Sequence, residues 1–189
     1  NMTIFEYMSM VVAIVLGLSM THLLNKLATT IRVGQWRRLW FRSLWCVILL
    51  VCTIGFLWAF WRIYGSYTEI SIWSFIGGPF FTVVCFFLVS VLLPIPLPTE
   101  GNLEAIEHFM SSRKPFFVAL AVLWLHLSLT ATVIGFEQSP LEMFFGWMMV
   151  PISMLGFWLN NVRAHQVLVV LWSLGFLSQE LLQLAIVFS

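Results

Sequence analysis

The segment 166–188 reads QVLVVLWSLGFLSQELLQLAIVF, an apolar run long enough to cross a bilayer as a helix. Ser178, Gln179, Glu180 and Gln183 interrupt it well inside that span. An ionised carboxylate in hydrocarbon costs at least about 2.5–3.5 kcal/mol on insertion scales. A residue that expensive has a reason to be there. Gln179 and Gln183 are four apart and share one helix face, with Glu180 about 100° around from it. Two readings fit. One is a hydrogen-bond clamp between helices, with Glu180 protonated. The other is a proton or cation site on the wall of a polar pathway.

The rest of the chain matches that segment. Of 189 residues, 61% are hydrophobic and 9% charged, against about 25% charged in a soluble domain. So little polar surface calls for a lipid surround. The net charge of +1 argues against a nucleic-acid partner. Cys46, Cys52 and Cys85 fall inside apolar runs without C-x-x-C spacing and read as packing residues.

Five further apolar runs precede the quoted one, giving expected spans at about 4–27, 41–63, 72–93, 115–136 and 140–159 before 166–188. The expectation is an all-α, polytopic integral membrane bundle of six transmembrane helices, one transmembrane domain over residues 1–189. No basic leader or small-residue cleavage site marks the first run, which is therefore read as retained. Thr3 with Glu6, Ser66 with Glu69, and Ser139-Pro140 with Glu142 have capping-box spacing, which explains those glutamates as helix starts. Ser9, Ala13, Gly17 and Thr21 recur every four residues, a small-residue stripe expected to form a close helix-packing seam within the bundle or between protomers. Gly77-Gly78-Pro79 breaks the third span, and Gly146, Pro151 and Gly156 bend the fifth. Between spans, 29–42 reads as an interfacial helix rich in Arg and Trp, and 102–110 as a short amphipathic helix capped by Asn102.

Eight of nine basic residues fall after the first, third and fifth runs; Arg62 alone lies on the other side. This places both termini outward and the interfacial helices on the cytoplasmic side, in a bacterial inner membrane. The polar residues then sort into two layers. His22, Asn25, Asn160, Asn161, Arg163 and His165 form an inner-face cluster. Glu180, Gln179, Gln183 and Arg62 lie in the outer half, with His126 nearer the midplane. Arg62 could pair with Glu180 if their helices touch.

No H-E-x-x-H, G-x-S-x-G or P-loop pattern occurs, so neither an enzyme nor a metal or cofactor site is expected. Three functions remain. The first is a channel or transporter protomer for an ion or small solute, with its polar site around Glu180. The second is a non-transporting subunit, sensor or scaffold that docks a cytosolic or membrane partner, or lipid, through Arg32, Arg37, Arg38 and Arg42. The third is a haem or quinone protein using His126 with His22 or His165. The lipid bilayer is the common partner, with a second copy of the chain or another membrane protein against the small-residue stripe.

Overall fold

The computed structural model describes residues 3–32, 40–65, 67, 69–94, 102–134 and 139–187; for 102–105 and 182–187 it describes the backbone alone. The described chain is all helical. Helix α1 (Ile4–Arg32) opens on the expected reciprocal cap: the Thr3 N–H donates to the Glu6 carboxylate at 2.8 Å, and the Glu6 N–H to Thr3 Oγ1 at 3.2 Å. It runs one turn further than its apolar run, and in that turn Thr29 and Thr30 bring their hydroxyls back onto the carbonyls of Asn25 and Lys26. Residues 29–32 of the expected interfacial helix are thus the last turn of α1; Arg37, Arg38 and the Ser66 cap lie outside the described residues.

Helix α2 (Trp40–Tyr64) follows. The third apolar run is divided: α3 (Ile72–Phe75), a π-helical turn (Ile76–Phe80) and α4 (Phe81–Leu92). The wide turn absorbs Pro79, which has no N–H to give the ladder. The Gly78 carbonyl there accepts from the Thr82 hydroxyl at 3.0 Å and from Nε2 of His126 at 3.2 Å. The break is therefore satisfied by a neighbouring helix, as buried backbone in lipid must be.

Helix α5 (Asn102–Ile134) departs from the sequence expectation. The short amphipathic helix and the fourth span are one helix, with Pro115 inside it rather than at a new start. Pro115 and Ser111, whose carbonyl loses its usual donor, are both exposed. The freed carbonyl thus faces the surroundings and the helix need not break. Helix α6 (Pro140–Trp158) begins with a complete capping box, Ser139 N–H to Glu142 at 2.6 Å and Glu142 N–H to Ser139 Oγ at 3.3 Å. Helix α7 (Val162–Val187) starts where Asn161 Oδ1 accepts the Arg163 N–H at 2.9 Å. Among the described residues, five stretches are long and apolar enough to cross a membrane: Ile4–Arg32, Trp40–Tyr64, Ile72–Leu92, Ile106–Ile134 and Pro140–Trp158.

The long helices close into a ring in the order α1, α2, α7, α6, α5, α4 and back to α1; α2 against α7 is its slimmest seam. One half of the ring is filled. Trp45 stands edge-on to Phe116 at 5.4 Å, Phe117 at 5.8 Å and Trp172 at 5.2 Å, all four fully buried. Gly156 makes this possible, since a Cβ there would collide with the Phe117 ring.

The same half is closed by buried cations. Lys26 Nζ donates to the carbonyls of Val91 and Leu93, both at 2.7 Å. Arg42, only 2% exposed, donates to the Pro94 carbonyl and lies over the Phe109 ring. Arg113 donates to the carbonyl of Met110 and to Asn160 Oδ1, and His165 Nε2 to the Leu159 carbonyl at 3.0 Å. Except for the Met110 carbonyl, which lies inside α5, the backbone acceptors are carbonyls at the ends of α4 and α6, where a cation meets the negative pole of the helix dipole.

Two expectations change here. Arg42 is built into the fold and is not available to a partner, whereas Arg32 is exposed at the end of α1. The stripe Ser9, Ala13, Gly17 and Thr21 is not an internal seam: Ala13, Gly17 and Thr21 are exposed, and nothing lies within 4 Å of a Cβ built on Gly17. α1 packs inward through Met8, Val12, Leu16, Ser19 and Leu23 instead, because the larger side chains bury more area per turn.

Candidate functional site

In the half of the ring away from the buried cations the aromatic packing recedes and leaves a partly open cavity of about 490 Å³. α2, the start of α4, α5, α6 and α7 wall it; α1 contributes nothing. Its floor is Leu49, Trp124 and Trp172, the last two edge-to-face at 5.7 Å. Trp172 is anchored, donating through Nε1 to Ser153 Oγ at 3.0 Å, and that hydroxyl donates to the Met149 carbonyl at 2.7 Å. The floor is thereby tied to α6. The rest of the wall is largely apolar and aromatic, with Phe56, Phe86, Trp147 and Phe176 among its members.

Glu180 enters this cavity from α7 at its seam with α2. The facing residue is Gly55; a Cβ there would lie 3.8 Å from both carboxylate oxygens. A Cβ there would be in ordinary contact with the carboxylate, so a longer side chain would compete for the space beside it. No hydrogen bond or ion pair reaches the Glu180 carboxylate among the described residues. Arg62 lies on the same wall, two helical turns further along α2 and exposed. α2 and α7 do touch, as an Arg62–Glu180 pair requires, but the structure brings the two residues to one cavity without joining them.

Beside Glu180, a second glycine gathers polar groups. A Cβ at Gly146 of α6 would lie 3.5 Å from Ser128 Oγ and 3.9 Å from Gln179 Nε2. Ser128 of α5 and Gln179 of α7 thus both lie against this glycine. Ser128 is 7% exposed and Gln179 8%, yet Ser128 Oγ and Gln179 Oε1 have no hydrogen-bond partner, nor has Nε1 of the buried Trp124. All three residues line the cavity. Buried polar atoms are usually paired; three unpaired ones line this cavity, and others, such as Trp45 Nε1 and Ser173 Oγ, lie elsewhere in the molecule.

The other expected site residues are distributed differently. The side chain of Gln183 lies outside the described residues. His126 is not on the cavity wall: its ring is held at Gly78 and edge-on to Phe81 at 4.7 Å, so it serves the α4–α5 contact. The inner-face cluster divides. His165 is buried and Asn160, though exposed, accepts from the buried Arg113, while His22, Asn25, Asn161 and Arg163 are exposed. His22 stands against Phe87, and His165 between Phe109 and Phe117, roughly 20 Å by helix rise along α5 from the level of His126. The three histidines are not brought to a common axial position. Sequence reasoning missed Gly55, Gly146, Ser128 and Trp124. Each sits in an apolar run with no motif around it, and only the helix order in the ring makes them neighbours.

No family model, no curated protein and no solved structure matches this chain. The site defines its class on its own terms: a helical membrane protein with a partly open aromatic cavity and one uncompensated carboxylate.

Proposed function

We propose that the chain is the protomer of a membrane transporter for a small solute, with its binding site in the Glu180 cavity. The observation that carries this reading is the convergence of Glu180 with the unpartnered polar atoms of Ser128, Gln179 and Trp124 in one cavity large enough for an organic molecule. The chain crosses the membrane six times, α7 being the sixth span, with both termini outward in a bacterial inner membrane; the basic residues at the far end support that orientation. A small solute fits better than a conducted ion. The cavity ends on a packed aromatic floor, and beyond it lies an end closed by Lys26, Arg42, Arg113 and His165. Such an arrangement suits alternating access, in which the floor opens only after the solute is bound. The slim α2–α7 seam and the π-helical turn beside His126 are the elements suited to move.

The test is uptake into proteoliposomes of a panel of radiolabelled amines, amino acids, sugars and organic acids, by the native chain and by Glu180→Gln. Uptake of any of them that falls at least tenfold in Glu180→Gln supports the proposal. Absence of uptake across the panel, or uptake indifferent to the substitution, rejects it. Of the residues in the docking reading, Arg42 is buried and Arg32 exposed, while Arg37 and Arg38 lie outside the described residues.

A further inference from the structure

Taking the Glu180 cavity as the solute site, we propose that it recognises an amphipathic organic cation, a protonated or quaternary amine carrying an apolar or aromatic body. The chemistry of the lining selects this class. The cavity's deep charge is the Glu180 carboxylate, facing Gly55 and without a compensating partner among the described residues. Phe56, Phe86, Trp147 and Phe176 line the same cavity above the Trp124–Trp172 floor. Aromatic rings attract cations through their quadrupoles, and the attraction grows where water is excluded. A carboxylate within an aromatic enclosure is therefore a site for a positively charged group that brings little hydration with it. The apolar body of the ligand would fill the space over the floor, where hydrophobic lining dominates.

Two of the three unpartnered atoms suit a protonated amine: Gln179 Oε1 and Ser128 Oγ, in residues more than nine-tenths buried, accept hydrogen bonds that its N–H would donate, whereas the Trp124 N–H needs an acceptor on the ligand. Arg62 does not reverse the sign. It is exposed at the rim, about 10 Å from Gly55 along α2, where its charge is screened more strongly than that of the half-buried Glu180. The apolar body of the ligand can enter past the exposed Ile54 and Trp58, which also line the cavity.

The experiment is isothermal titration of the full-length protein in a neutral detergent with three probes that share a phenyl ring: benzyltrimethylammonium, benzyl alcohol and phenylacetate. Three variants accompany the native chain. Glu180→Gln removes the charge, Glu180→Asp keeps it, and Gly55→Leu keeps the carboxylate but competes for the space beside it. The expected result is binding of benzyltrimethylammonium at least tenfold tighter than of either other probe. It is weakened at least tenfold by Glu180→Gln and by Gly55→Leu, and retained by Glu180→Asp. Equal binding by native protein and Glu180→Gln overturns the proposal. Preferential binding of phenylacetate or benzyl alcohol, lost on Gly55→Leu, also overturns it, while leaving the cavity as a solute site. No binding of any probe by the native protein overturns the cation assignment and removes the ligand-site basis of the transport reading as well.

Discussion

Glu180 sits where stability and function pull in opposite directions. Its carboxylate is half-buried, faces Gly55 and has no partner among the described residues. Replacing such a group with an apolar one removes a desolvation penalty, so Glu180→Leu is expected to stabilise the protein by on the order of 1–3 kcal/mol. Thermal unfolding in detergent measures this. A destabilised Glu180→Leu would mean that the carboxylate holds helices together and does not wait for a ligand. Lys26 is the opposite case. It is buried but satisfied, with two carbonyls at 2.7 Å. Lys26→Met leaves both acceptors unmet at the end of α4 and is expected to lower stability by roughly 2–4 kcal/mol. The sequence pointed to Glu180 from its setting alone, because an acid in an apolar run is conspicuous. It could not separate Lys26 and Arg42 from the other connector charges, since burial of a basic side chain leaves no mark in local composition.

At the scale of the helix, the capping boxes were legible and the joints were not. Thr3 with Glu6 and Ser139 with Glu142 form their reciprocal bonds as the spacing requires, because a cap is made within four residues. Ser139→Ala is expected to cost roughly 1 kcal/mol, and a thermal melt unchanged by it would show that the packing of α6 outweighs its cap. α5 was read as two helices because Pro115 is a plausible helix start. Whether a proline starts a helix or sits within one depends on whether the freed carbonyl meets the surroundings, and that is a property of the exposed face. Gly156 is similar. A glycine in an apolar run reads as a bend, but here it is the gap that admits the Phe117 ring. Gly156→Ala is expected to cost roughly 1–3 kcal/mol by overpacking a core that is already filled. A variant with native stability would require Phe117 to shift, which Trp45 and His165 on its flanks oppose.

For the whole molecule, the division into a filled half and a hollow half matters most. Cations and aromatic rings close one end; the other holds the cavity. The proposed six-span arrangement makes a direct statement about sides. Tyr67 and Arg163, both exposed, belong to opposite ends. Tyr67→Cys and Arg163→Cys are expected to react with a membrane-impermeant maleimide from opposite faces of an oriented vesicle. The native Cys46, Cys52 and Cys85 are buried and give little background. Labelling of both from one face would reject the arrangement. Hydropathy by itself determined that the chain is helical and membrane-embedded, because a bilayer demands long apolar segments with internally paired backbones, and both demands are written residue by residue. Capping spacing determined where two of those helices begin, for the same local reason. Only the tertiary structure decided that Gly55 faces Glu180, that Ser128 and Gln179 both lie against Gly146, that His126 serves a backbone carbonyl, and that the small-residue stripe looks outward. Those are relations between helices far apart in the chain. They follow from the order in which the helices close the ring, and periodicity along one helix carries no information about which helix stands opposite.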